Sequence, residues 1–180
     1  FRSYGRVKVA GVLMFANTKF GVLDRVFALG SGEIDAVEEH WIDDVHPTMT
    51  GTAPGGKYSG KCLIDWRLGT DTPALYSNLN VTWPALWTAA HLGKGIPSAH
   101  MQMFQVSASK MGDLWPNLAA TEYRQLQRGA KVRAMSGGGF GAATWADNAV
   151  LVIADYLTHQ DGLGLNDSWI VNAIGTWVDA

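Results

Sequence analysis

Five histidines, one cysteine and a few grouped carboxylates are the residues here whose chemistry could support catalysis or metal binding. His40, His46, His91, His100 and His159 form neither an HExxH pair nor another paired-histidine ligand spacing. His40 and His46 with Asp43 or Asp44 would make a metal site if their loop closed on itself; turn or surface histidines account for them equally well. Asp43-Asp44 with Asp65 would serve as a glycosidase pair only at roughly 5–9 Å separation in a shared pocket, which sequence does not specify. Ser31 in Gly30-Ser31-Gly32 lacks the GxSxG frame, and no GK[ST] follows for phosphate binding. Cys62 lies in the apolar stretch Gly60–Trp66 and reads as a buried, inert thiol. The expectation is no catalytic set, no metal site, no cofactor and no enzyme.

Binding chemistry is the alternative. Trp66, Trp83 and Trp87 would suit stacking on sugar rings in a carbohydrate- or cell-wall-binding module. The same residues would equally suit a core or a subunit interface, where tryptophan is enriched. Arg124, Arg128, Lys131 and Arg133 form a local basic strip. Without interleaved aromatics it is a poor nucleic-acid surface and fits polar contacts at a subunit boundary. Trp66, Trp83, Trp87, Arg124 and Arg128 are therefore the candidate interface residues.

The elements that must position these side chains are mostly strands. Arg6–Phe15, Gly21–Leu29, Lys61–Leu68 and Ser98–Val106 combine alternation or apolar runs with glycine punctuation. Glu33–Asp43 has too poor a stripe for a helix and reads as extended. His46–Tyr58, with its prolines and glycines, reads as a mobile surface loop. Thr82–Ala90 is predicted as a short helix capped by Thr82, and Tyr123–Met135 as a hairpin turning near Arg128-Gly129. Gly137-Gly138-Gly139 reads as a flexible loop. Two helices close the chain: Asn148–Leu157 behind an Asp147 cap, and a second carrying Trp169, Ile170, Ala173, Ile174 and Trp177.

The composition agrees with a packed protein. Of 180 residues 47% are hydrophobic and 17% charged, with 21 glycines, eight tryptophans and a formal net charge of -2. That excludes a disordered segment and gives no overall attraction to nucleic acid or anionic lipid. One cysteine excludes an internal disulfide, and no apolar run is long enough to span a membrane. The opening Phe1-Arg2-Ser3-Tyr4-Gly5 and a last helix barely complete at Ala180 lead us to expect a cut at both ends.

An ordered set of segments resembles the central tail-hub, or tail-tip host-specificity, proteins of long-tailed phages and prophages, the lambda tail-tip-like family. Tyr4-Gly5-Arg6 through Gly11 resembles its YGRxxxxG opening, and Asp24–Asp35 (DRVFALGSGEID) its "aisEGpIdg" segment. Leu68-Gly69-Thr70-Asp71, Trp87 and Gly93-Lys94-Gly95-Ile96 resemble its inserted domain. Trp115-Pro116-Asn117 with Arg128-Gly129-Ala130-Lys131-Val132 is similar to "FPn…vrGrkV". The strongest match is Asp147–Val150 with Ala154-Asp155-Tyr156-Leu157-Thr158 and Gly162-Leu163-Gly164. Departures are Thr72-Pro73, Ser98 and the triple glycine.

This resemblance implies an α+β, predominantly β fold. Residues 1–59 and 121–180 would form a discontinuous, ring-forming hub β-domain. Residues 60–120 would form an inserted peripheral domain, a small β-barrel or sandwich, and two helices would end the chain. It implies a virion structural protein of the tail tip or baseplate, made in the host cytoplasm, that closes the tail tube and supports tail assembly and DNA ejection. Its partners would be two further copies in a homotrimer, the distal tail protein and other tail-tip proteins. Neither a membrane span nor sequence-specific nucleic-acid binding is implied.

Overall fold

The computed structural model describes residues 2–136, 139–160 and 162–170. In chain order the elements are β1 (Arg6–Ala10), β2 (Val12–Lys19), β3 (Val22–Ala28) and β4 (Ile34–Ile42). A short β5 (Met49–Thr50) and β6 (Ala53–Pro54) precede β7 (Cys62–Leu68), α1 (Ser77–Thr82), β8 (Pro97–Phe104) and α2 (Ala108–Leu114). Then come β9 (Tyr123–Ala130), β10 (Val132–Ser136), β11 (Gly139–Thr144) and α3 (Ala149–Thr158).

Two antiparallel sheets form the body. One has the order β1-β9-β4 and the other β2-β3-β8-β7. The chain passes between them at Gly11, where an added Cβ would lie 2.6 Å from the Cβ of Phe27. Alternation then sorts the second sheet's residues: Phe27, Ile64, Ala99 and Met101 face the first sheet and join Val9, Ile42 and Tyr123 in the main core. Burying each large apolar side chain contributes roughly 1.5–3 kcal/mol. The opposite face carries Val26, covered by Tyr76 just before α1, Leu79 on α1 and Trp87 after it. A third apolar cluster joins Met135, Ala154 and Ile170.

The mixed fold with sheets predominating agrees with the expected class. The expected barrel does not: β7 and β8 belong to an open sheet completed by β3 and β2, and no closed barrel occurs among the described residues. β3, β4, β7 and β8 fall within segments read as strand or extended, whereas the single strand expected over Arg6–Phe15 is split at Gly11 into β1 and β2, and β2 runs on to Lys19. The hairpin at 123–135 is instead one strand, β9, paired on both sides, followed by β10, which pairs β11. Gly129 is there for proximity, since a Cβ would sit 2.4 Å from the Ser3 carbonyl oxygen. The helix expected at 82–90 does not form; α1 ends where it was to begin, at Thr82, because Pro84 disfavours helical backbone at Trp83 before it. The 46–58 loop is pinned by the buried Tyr58, whose ring lies 5.3 Å from that of Trp115. Asn148, not Asp147, caps α3. The second terminal helix begins within residues 167–170; Ala173, Ile174 and Trp177 lie outside the described residues, as do Gly137 and Gly138.

Candidate functional site

Two buried polar networks organise the sheets. The first lies under α1. Asp24 on β3 is fully buried, and its Oδ1 accepts from His100 Nε2 and Gln102 Nε2, each at 2.9 Å. Its Oδ2 accepts from Trp83 Nε1, also at 2.9 Å. Burial alone would raise the Asp24 carboxyl, but the bonds from His100, Trp83 and Gln102 outweigh it and hold the pKa below its ordinary value. The carboxylate thus ties the covering segment to the sheet. Beside it Tyr76 shares a 2.8 Å hydrogen bond with Ser98, and Arg67, bound to Asp65 at 2.6 Å, covers the Tyr76 ring.

The second network runs along the inner face of β9. His40 Nδ1 lies 2.7 Å from the Tyr123 hydroxyl, which donates to Gln125 Oε1 at 3.2 Å. Gln125 donates to Gln127, and Gln127 to Ser3 Oγ, each at 2.6 Å. With the one Tyr123 proton on Gln125, the Nδ1–H of His40 is the donor, and every bond points the same way. Burial lowers the His40 pKa to about 4, with His46 adding to the effect, so the ring is neutral. Sequence reasoning missed both networks. The visible signal was glutamine and histidine at alternate positions in β8 and β9, where one face holds polar residues.

The amino-terminal segment meets α3 and β9 nearby. Tyr4 donates to Asp155 Oδ2 at 2.9 Å, and Arg2 Nε lies 3.4 Å from the same oxygen. Burial and Asp155 push the Tyr4 pKa up to about 12. The Gly129 amide donates to the Gly5 carbonyl at 2.7 Å. Segments 30–32, 69–70 and 93–96 also converge: Gly32 donates to the Gly95 carbonyl at 2.7 Å and Gly95 to that of Thr70 at 3.4 Å.

The five candidate interface residues do not form one surface. Trp66 is half-buried against the main core, its ring 4.5 Å from that of His40. Trp83 and Trp87 lie on the other side of the sheet, with Phe15, and Trp87 is only 7% exposed. A shared sugar platform would need all three rings on one open face. Arg124 pairs with Glu122 and with Asp44 at 3.4 Å; Arg128 pairs with Asp35 at 2.7 Å and faces the Trp145 ring. Both arginines are half-exposed on the outer face of β9.

The other sequence candidates also separate. His40 points inward while its neighbour Trp41 stacks on His46 at 4.9 Å. Asp43 accepts from the Glu122 amide, and Asp65 is held by Arg67. Cys62 is buried, which raises its thiol to about 12. Among the described residues no three His, Cys, Asp or Glu side chains gather to hold a metal ion, and no helix is long and apolar enough to cross a membrane.

The exposed apolar side chains lie elsewhere. β2 is an edge strand, and Val12, Leu13 and Met14 on it are 66%, 48% and 43% exposed. An edge of this kind presents unpaired backbone groups beside apolar side chains, a template for pairing with another chain.

No family model and no curated protein matches the chain. Among solved structures it is similar to a chain of the virion of a native gene transfer agent particle, with 18% sequence identity and a TM-score of 0.43. The match covers 74% of this chain, which spans about a quarter (26%) of that one. The similarity is to a virion protein broadly, not to the lambda-like tail-tip family in particular.

Proposed function

We propose that this chain is a structural component of a phage-type tail tip or baseplate hub, closing the tail tube and supporting assembly and DNA ejection. One observation carries the reading: segments that resemble the hub family, far apart in sequence, contact one another. Tyr4 of the YGR segment reaches Asp155 of the ADYLT segment, and Gly129 of the RGAKV segment bonds to Gly5. Residues that meet in space are constrained together, so their joint occurrence in one chain is more specific than any single motif.

In this reading residues 1–59 and 121–180 are the hub segments, and 60–120 is an insertion that adds β7 and β8 to a sheet begun by β2 and β3. Three copies surround the tail axis, beside the distal tail protein and other tail-tip proteins, after assembly in the host cytoplasm. Trp66, Trp83 and Trp87 act as packing anchors, and Arg124 and Arg128 as polar contacts near a subunit boundary. Imaging of the full-length protein in assembled particles tests this: threefold density at the tail tip is the expected result. Density elsewhere, or no threefold ring, rules it out.

A further inference from the structure

The lysines and the arginines of this chain are placed differently. Arg6, Arg124, Arg128 and Arg133 each pair with a carboxylate. Among the described residues Lys131 is the one lysine with a carboxylate partner. Lys19, Lys57, Lys61 and Lys110 gather at one end of the four-stranded sheet. Lys57, Lys61 and Lys110 line one cleft, and Lys57 donates to the backbone carbonyl of Asp113 at 3.2 Å. Lys19, whose ammonium donates to the Thr82 carbonyl at 3.0 Å, precedes the β2–β3 turn. That turn joins the others through Gln105, whose amide donates to the Gly21 carbonyl at 2.7 Å and whose side chain borders Lys61 and Lys110. Among the described residues lining this end, Asp113 alone is acidic.

The surface inside this basic rim is apolar. Phe20-Gly21 is a two-residue loop with φ of 53° and 74°, a turn that favours asparagine, aspartate or glycine at its first position. Phe20 stands there instead, 89% exposed, so the chain bears both a left-handed cost and a hydrated aromatic ring. Gly21 and Leu118 line one groove of about 240 Å³ that has no charged side chain in its walls. Leu118 is likewise left-handed (φ 49°) and 55% exposed. Helix α2 serves both zones, with Met111 in the groove and Lys110 in the lysine cleft.

We propose that this end of the molecule docks on an anionic lipid surface, with Phe20 and Leu118 entering the headgroup–acyl boundary and the four lysines meeting lipid phosphates. Charge complementarity selects the partner: the lysines lack carboxylate partners within the chain, and a bilayer offers negative charge directly above apolar depth. A turn tip that projects needs no shaped pocket to receive it. A polyanion such as nucleic acid would use the lysines and leave the aliphatic Leu118 and Met111 in water. Lys19 Nζ lies 5.1 Å from the centre of the Phe20 ring, and its long stem lets the charge stay among headgroups while the ring goes deeper. The formal net charge of -2 does not oppose this, because salt confines the attraction to charges within about 10 Å of the membrane. The inference goes beyond the tail-tip reading and does not rest on it; vesicle binding and tail-tip density can each fail alone.

Flotation of the purified chain with lipid vesicles tests it. Vesicles of phosphatidylcholine mixed with phosphatidylglycerol carry the wild-type chain upward, phosphatidylcholine alone does so at least tenfold less well, and raised salt weakens binding. A lysine near such a surface contributes about fivefold in affinity, so Lys61→Gln combined with Lys110→Gln lowers it about 25-fold. Phe20→Asn, which suits the turn's backbone, lowers it at least tenfold, whereas Phe20→Trp retains it. Lys94→Gln, beyond the opposite end of β8, binds like the wild type. A chain that does not float with the anionic vesicles, a Phe20→Asn variant that floats like the wild type, or a Lys94→Gln variant weakened as much as the lysine pair overturns the proposal. So does binding to polyglutamate or single-stranded DNA as tight as to the vesicles, which would make this end a polyanion site.

Discussion

Tyr4 and Asp155 are 151 residues apart in sequence and joined by a 2.9 Å hydrogen bond. The bond fastens the first residues before β1 to the middle of α3, where Asp155 is 4% exposed. Arg2 reaches the same carboxylate, so one buried acid anchors the amino-terminal segment.

Tyr4→Phe removes this bond and little else. Hydrogen bonds to a charged group contribute about 1.5–3 kcal/mol when well buried. Tyr4 is only half-buried, so a loss of about 1 kcal/mol is expected, read from urea denaturation midpoints.

Gly129→Ala is the more severe change. Its Cβ would meet the Ser3 carbonyl oxygen at 2.4 Å, so the segment before β1 must move off the central strand β9. Overpacking of this kind costs about 1–3 kcal/mol. Hydrogen exchange should show the amides of β1 exposed selectively, with β7 and β8 unaffected.

The Asp24 carboxylate makes stability acid-sensitive. Its folded pKa lies below the ordinary 3.8, so its contribution is complete above that value and is lost as pH falls through the folded pKa. Asp24→Asn replaces one of the two acceptor oxygens with an amide donor that faces another donor. It should cost about 2–3 kcal/mol at neutral pH and remove the part of the acid-limb slope that belongs to Asp24. Denaturation of both proteins from pH 7 to 2 measures the difference.

His40 acts with the opposite charge sense over a higher window. Its pKa is lowered from 6.5 to about 4, so the neutral ring's contribution is complete above 6.5 and declines as pH falls toward 4. At 1.36 kcal/mol per unit the shift corresponds to roughly 3 kcal/mol. His40→Gln, which keeps a donor toward Tyr123, should flatten stability between pH 6.5 and 4. An NMR titration placing the His40 midpoint near 6.5 would refute the account.

Phe20→Asn should raise the stability of the folded chain, because Phe20 holds a left-handed φ of 53° in the β2–β3 turn. Asparagine tolerates the left-handed region that costs most residues roughly 1–2 kcal/mol, so a gain of about 1 kcal/mol is expected. A thermal midpoint unchanged or lowered would show that the turn is not strained by its phenylalanine.

Much of the strand content was legible because side-chain alternation is a local property. Arg6–Phe15, Gly21–Leu29 and Lys61–Leu68 carry it in their own residues, and β1, the start of β2, β3 and β7 lie within them. The candidate site was less legible. Gln125 and Gln127 lay in the expected hairpin with no role assigned, yet both are fully buried, because Gln125 donates to Gln127 and Gln127 to Ser3. Asp24 likewise looked like one charge in a strand until His100, Gln102 and Trp83 came together around it from two other segments.

The sequence by itself thus determined much of the strand periodicity, the break at Gly30-Ser31-Gly32 and the burial of Cys62, while the corner at Gly11 came from the tertiary structure. Tertiary structure alone decided that β9 passes straight through Gly129, that the three tryptophans divide between two faces of a sheet, and which polar side chains are buried. The physical reason is range. Periodicity and turn preference act over a few neighbouring residues, whereas satisfying a buried donor or excluding a Cβ depends on atoms that the sequence places up to 151 residues away.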